Sequence, residues 1–278
     1  MELIDLHHLG KTHAIGSWWL RDVLIDCGPA SCLPRLLEQL RDRTPRALML
    51  THIHLDHAGA AGEMVRRWPD LTVYVHSVGA RHMIDPSRLV RSAERIYGDQ
   101  MDSLWGPITP VPEKNLRVLD GGEKVYGLDV AYTPGHASHH VAFFDEESGC
   151  AFVGDAGGVR IVPSRLIMPH APPPDIDLEA WSTSLEVIAG WRPASLALPH
   201  YGLVEDVEAH LEETRRRLVE KANLARGSTQ EEFVARAHQE LEAEPSDRQD
   251  LYLIDSPPDH MYFGLRRYWD KRSEADAA

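Results

Sequence analysis

Residues Leu48 to Gly59 read LMLTHIHLDHAG, an apolar run that opens into His52, His54, Asp56 and His57. The apolar half fits a buried strand bounded by a turn. Where such a chain turns, His52 and His54 can point the same way while Asp56 and His57 swing to a neighbouring position as the next helix begins. Imidazole and carboxylate are the donors of zinc and other borderline metals, and a catalytic site keeps one coordination position for water. Four such donors within six residues mark a metal-binding loop.

Three further donors lie downstream, each where a strand candidate runs into a loop. His136 stands in TPGH, Asp155 in FVGD and His200 in LALPHYG. Strand ends on one rim of a sheet are where an α/β protein gathers a site from distant sequence. Taken singly, each would more often be a capping or hydrogen-bonded residue. As a set of seven they point to metal chemistry.

Around these donors, short strand candidates alternate with helices, which argues for α/β layers. The strands expected are 18–20, 23–26, 47–51, 72–76, 116–119, 124–133 and 195–198, with 141–144 and 150–153 as a hairpin about the turn 145–149. Leu33, Leu36, Leu37 and Leu40 form a helical stripe whose first turn tolerates Pro34. A second helix is expected from a cap at Asp177, with Leu178, Trp181, Leu185 and Ile188 inward. After His200 the texture turns helical. Val207, Leu211 and Leu218 mark one helix, and Ser228 with Glu231 reads as a capping box opening another through Phe233, Ala237 and Leu241. Pro245 and Pro257-Pro258 interrupt the pattern before a last helix carrying Met261, Leu265 and Tyr268. The expected organisation is an α/β domain over 1–204, with a helical insertion at 77–114, and a helical C-terminal extension over 205–278.

The chain has 278 residues and a formal net charge of −14. Its composition is that of a globular protein, and its acidic balance disfavours nucleic acid and anionic membrane as partners. A small-molecule substrate is expected, and a homodimer stays open. No run approaches the ~18 apolar residues of a membrane span, and MELIDLHHLG lacks the layout of a signal peptide, so a soluble cytoplasmic protein is expected. Cys27, Cys32 and Cys150 form no C-x-x-C pair and read as small, buried residues.

On the H-x-H-x-D-H loop with His136, Asp155 and His200, the sequence resembles the metallo-β-lactamase superfamily over about its first 205 residues. The resemblance implies an αββα sandwich with two divalent metal ions, zinc first and iron or manganese open. One ion would be held by His52, His54 and His136, the other by Asp56, His57 and His200, with Asp155 bridging. Gaps of 79, 19 and 45 residues between His57, His136, Asp155 and His200 are similar to those of the glyoxalase II and lactonase branches. They imply a hydrolase cleaving an ester, lactone or thioester of a small metabolite through a metal-bridging hydroxide, with Asp56 as the catalytic carboxylate that orients it. Histidine at position 54, where flavodiiron members have glutamate, argues against redox di-iron chemistry. Gly158 stands where lactonases place tyrosine. The alternatives are a mononuclear-iron persulfide dioxygenase and a small-molecule phosphodiesterase. Ser17, Ser138 and Ser164 have no G-x-S-x-G context, so a serine nucleophile is not expected.

Substrate contacts are expected from His82, Arg91, His140 and Tyr201, each with a plainer alternative. His139 and His140 would point to opposite faces of a strand, so at most one faces the site. Tyr201 is equally a packed aromatic. A helix over 86–98, with Leu89, Ala93 and Ile96 as its apolar stripe, would align Arg88, Arg91 and Arg95 on another face, either as a solvated surface or as an anion-binding cap. His7, His8, His13, His170 and His260 are expected at the surface or in loops.

Overall fold

In the computed structural model, which describes residues 1–276, the apolar run of the decisive segment becomes a strand of only three residues, Ala47–Met49. Leu50 still donates its N–H to Tyr74 O, but the N–H of Thr51 goes to the carboxylate of Asp26 at 2.8 Å. A side chain therefore closes the strand two residues before the expected end.

The chain is mixed α/β, with two sheets, and divides into two compact units. The first unit, Met1–Tyr132 with His139–Glu146, holds β1 (Glu2–Asp5), β2 (Gly16–Leu20), β3 (Val23–Ile25), α1 (Leu33–Leu40), β4 (Ala47–Met49), α2 (Leu55–Ala58), α3 (Ala61–Arg67), β5 (Thr72–His76), α4 (Ser77–Ile84), α5 (Ser87–Tyr97), α6 (Met101–Leu104) and β6 (Leu116–Leu119). Strands β1 to β6 lie side by side in chain order. Their last three pairings are parallel, and β3 and β4 are buried along their whole length. Strands apolar at every position, with helices as their connections, are what a covered parallel sheet requires.

The same unit continues with β7 (Lys124–Val125), β8 (Leu128–Tyr132) and β9 (Val141–Asp145), an antiparallel run. The single strand expected over 124–133 is two, because Tyr126 and Gly127 adopt φ of 52° and 82° and reverse the chain. Two consecutive positive φ values are the signature of a tight two-residue hairpin turn. In α5 the expected stripe also changes. Ala93 is buried and Leu89 and Tyr97 pack beside it against Leu55 and Trp105, whereas Ile96 is exposed. Gly98, at φ 51°, ends the helix.

The second unit, Thr133–Ser138 with the chain from Glu147, holds β10 (Cys150–Phe152), α7 (Leu178–Gly190), β11 (Ser195–Leu198), β12 (Gly202–Val204), α8 (Val207–Gly227), α9 (Gln230–Leu241), α10 (Ser246–Asp255) and α11 (Pro258–Asp276). Asp177 caps α7 as expected, accepting from Ala180 N at 2.9 Å. The capping box of α9 is Thr229 with Glu232, one residue along from the expected pair, because Ser228 Oγ donates back to Leu224 O at the end of α8. Phe233, Ala237 and Leu241 form the buried face of α9. Pro245 and Pro258 lie at helix starts, where a missing N–H costs nothing, and β1, β12 and α10 are elements the sequence patterns did not mark. Cys27, Cys32 and Cys150 are buried and take part in no disulfide. Among the described residues, no helix is long and apolar enough to cross a membrane.

Candidate metal centre

The first unit gathers four of the seven donors at the end of β4. His52 Nε2 and His54 Nδ1 stand 3.1 Å apart. Two nitrogens each ~2.1 Å from a common ion stand roughly 3 to 3.5 Å from one another, so this pair has the spacing of shared ligands. The one-turn helix α2 then carries Asp56 and His57, with His57 Nε2 3.5 Å from Asp56 Oδ2. Its last turn is held by Cys27 and Gly28, whose N–H groups both donate to His57 O.

Asp26 organises this loop from the end of β3. It is buried and sits at φ 55°, a left-handed conformation that aspartate tolerates better than most side chains. Its Oδ1 accepts from Thr51 N at 2.8 Å, and its Oδ2 accepts from Thr51 Oγ1 at 2.8 Å and from His57 Nδ1 at 2.9 Å. Because the Thr51 hydroxyl donates to Asp26, its lone pair receives the Nδ1–H of His52, 3.1 Å away. In both rings, His52 and His57, the proton is thereby held on Nδ1 and the Nε2 lone pair is the one an ion would take, the tautomer a metal ligand needs.

In the second unit the other three donors come together as two imidazoles on one carboxylate. Asp155 lies in a tight turn after β10 and is fully buried. Its Oδ2 is 3.4 Å from His136 Nε2 and its Oδ1 is 3.6 Å from His200 Nε2. The far nitrogen of His136 donates to His170 O at 2.7 Å. Trp181, on α7, locks the two loops together, since its ring meets His136 edge-on and its indole N–H donates to Ala156 O at 2.9 Å. Gly135 makes that approach possible. At φ 134° it lies so close that a Cβ would sit 2.3 Å from Trp181 Cα.

His170, expected at the surface or in a loop, does lie in a loop, half-buried, and is a neighbour of this cluster. Its Nε2 is 3.9 Å from Asp155 Oδ2 and its ring stacks on that of His200 at 5.8 Å. His8 is likewise buried, stacked on Trp105, and not at the surface. Asp255, at the end of α10, places Oδ1 3.5 Å from His200 Nδ1. Of these unanticipated residues only Asp26 had a local signal, a carboxylate ending a wholly apolar strand.

Of the expected substrate contacts, His82 on α4 is half-buried and lines a small cavity with Ile53, Leu55, Met83 and Leu89. Arg91 is exposed on α5. His140 is buried with its ring 5.2 Å from that of His52. His139 is also close, stacked on His52 at 6.1 Å and accepting from Ile53 N. The strand alternation expected to separate the two does not apply, because β9 begins only at Val141. Burial, followed by the neighbouring His54, His140, His76 and His82, holds His139 well below the ordinary imidazole pKa and hence neutral. Tyr201 is buried beside His200, its N–H donating to Arg160 O at 3.1 Å.

The donor set within each unit therefore suits a dication: imidazole nitrogens with oriented lone pairs, beside carboxylates and away from water. A family model described as the metallo-beta-lactamase superfamily matches residues 18–200. A metallo-beta-lactamase fold-containing protein, ST1585 of Sulfurisphaera tokodaii, is 27% identical over 175 residues, 60% of this chain and 65% of that protein. A hydroxyacylglutathione hydrolase of Xylella fastidiosa is 31% identical over 136 residues, 49% of this chain and 40% of that enzyme. The chain thus spans between two fifths and just under two thirds of the length of these curated relatives. The crystal structure of an archaeal superfamily protein, ST1585 from Sulfolobus tokodaii, superposes with a TM-score of 0.72 at 21% identity, covering 95% of this chain and 97% of that one, a likeness of fold. Since the matched segment runs from β2 to His200 and contains all seven donors, the chain belongs to the metallo-beta-lactamase superfamily.

Proposed function

We propose that the chain is a dinuclear metal-dependent hydrolase that cleaves the ester, lactone or thioester bond of a small metabolite. Asp155 carries the reading: its Oδ2 faces His136 and its Oδ1 faces His200, the disposition of a carboxylate that serves two ions. In this reading His52, His54 and His136 would hold one dication and Asp56, His57 and His200 the other, with the two oxygens of Asp155 available to both. Zinc suits such donors, and iron and manganese are the alternatives. Bound there, the pair would supply Lewis acidity that brings the pKa of water toward neutrality and polarises a carbonyl.

The remaining work falls to the chain. The Asp56 side chain is 12% exposed where His57 beside it is fully buried, so it has an open flank from which Oδ can orient an attacking water and take its proton. Asp26, through His57 Nδ1, keeps the ligand loop in one tautomer. His140 and Tyr201 are assigned to the substrate, with Arg91 on any anionic group it carries. Similarity to a hydroxyacylglutathione hydrolase supports an acyl compound as substrate.

The test is elemental analysis of protein purified anaerobically, saturated with metal and desalted, followed by a panel of esters, lactones, thioesters and phosphodiesters. Two ions per chain and turnover of an acyl substrate are expected. One ion per chain with oxygen uptake on a thiol persulfide would replace this reading with the dioxygenase, and turnover of phosphodiesters alone would change the bond class.

A further inference from the structure

We infer that Asp255, in the C-terminal helices, is a positioning residue for His200, so that the helical extension is a working part of the metal centre. The inference rests on the reading of His200 as a ligand. Asp255 is the last residue of α10, and its carboxylate is 1% exposed. Both circumstances oppose a negative charge, because the C-terminal end of a helix carries the negative pole of its dipole and burial removes hydration. A carboxylate placed there needs a donor, and the imidazole Nδ1 of His200 lies 3.5 Å from Oδ1.

The placement is fixed by neighbours on the same turn. Tyr252 is fully buried, its hydroxyl donating to Leu166 O at 2.7 Å and accepting from Ile161 N at 3.2 Å. Ser256 Oγ donates to Pro169 O at 3.0 Å. These bonds tie the end of α10 to the stretch between Asp155 and His170. His200 then stands between two carboxylates, with Nδ1 toward Asp255 and Nε2 toward Asp155. A proton held on Nδ1 leaves the Nε2 lone pair for an ion, the arrangement His57 obtains from Asp26 and His136 from the His170 carbonyl. Neither the ligand motif nor its spacing contains this partner, which arrives 55 residues after His200 from a different kind of structure.

Two readouts test it. Long-range proton–nitrogen NMR of the metal-free protein at pH 8, with His200 assigned through His200→Gln, reads the tautomer directly. Zinc titration against a chromophoric chelator reads the two affinities. Wild type and Asp255→Asn, which keeps an acceptor, should show His200 protonated at Nδ1. Asp255→Leu should lose that preference and bind one of its two zinc ions, the one lost in His200→Gln, about 10- to 100-fold less tightly, with the other unchanged. Where Asp255→Leu does not fold, judged by its thermal midpoint, Asp255→Ser decides by the same signal, its hydroxyl being too short to reach Nδ1. A wild-type tautomer and wild-type zinc affinities in the variant overturn the inference. A wild-type protein that binds only one zinc overturns the two-metal reading instead, and the tautomer measurement still decides Asp255.

Discussion

His57 donates its Nδ1 proton to Oδ2 of Asp26 across 2.9 Å, and the same oxygen receives the hydroxyl of Thr51. One buried carboxylate therefore fixes the ligand loop at both ends, through the main chain and hydroxyl of Thr51 before the first histidine and through the ring of His57 after the last. Asp26→Ala should weaken metal binding about 10- to 100-fold, the usual cost of losing an outer partner of a ligand. Asp26→Asn, which can accept at one oxygen only, should fall between. Competition titration with a chelator measures both, and an alanine variant that binds metal like wild type would remove Asp26 from the centre.

Asp155 and His200 should separate by stoichiometry. If Asp155 gives one oxygen to each ion, Asp155→Ala loses both together, while His200→Ala keeps the ion held through His52, His54 and His136. Metal content after desalting distinguishes the two variants. Equal loss from both would mean that the sites are not independent.

The decisive segment was readable because donor spacing and apolar runs are local properties. The same holds for the Asp177 cap and for the strands 72–76, 116–119 and 195–198. What failed was either geometry at the scale of one residue or partnership across the chain. The reversal at Tyr126-Gly127 turned on two backbone angles, and the α5 stripe ran through Tyr97, not Ile96, because Trp105 offers an aromatic ring at 5.0 Å. Asp26, His170 and Asp255 acquire their neighbours only when distant segments meet, so no spacing rule could mark them.

His210 provides a pH signature separate from the metals. It is buried on α8, donating from Nε2 to Gly157 O at 2.8 Å, and burial, with Arg160 nearby, lowers its pKa from 6.5 to about 4. The unfolded chain binds a proton near 6.5 and the folded one does not until about 4. Stability from this group is therefore complete above pH 6.5 and is lost as pH falls toward 4, the loss amounting to roughly 3 kcal/mol once the pH is below that. Denaturant titrations of metal-free protein should show His210→Gln with a shallower decline across this window. Parallel pH profiles for variant and wild type would contradict the assignment.

Gly135 should tolerate no side chain. An alanine Cβ would meet Trp181 backbone at 2.3 and 2.4 Å, and φ 134° is itself unfavourable for an L-residue. Backbone cannot rotate aside, so Gly135→Ala should cost more than about 3 kcal/mol or prevent folding. A thermal melt checks this, with Gly190→Ala, which meets nothing within 4 Å, as the comparison that should be nearly silent.

The arginines of α5 should govern substrate charge without touching the reaction. Arg88, Arg91 and Arg95 are all exposed, and at 100° per residue they fall within about 60° of one another. On its buried side the same helix packs through Leu89, Ala93 and Tyr97 in the cluster of Leu55, the residue between His54 and Asp56. A guanidinium row carried on a helix that leans on the ligand loop is suited to hold a carboxylate or phosphate remote from the scissile carbonyl. Such a contact is the same in ground and transition states, so its loss should appear in KM and leave kcat alone. Arg91→Ala is expected to raise KM several-fold for a carboxylate-bearing substrate and to leave a neutral ester of the same acyl group almost untouched. The difference should shrink as salt is added, because exposed charges are screened beyond about 10 Å at 0.1 M ionic strength. Equal effects on both substrates, or none on either, would leave the row as a solvated helix face.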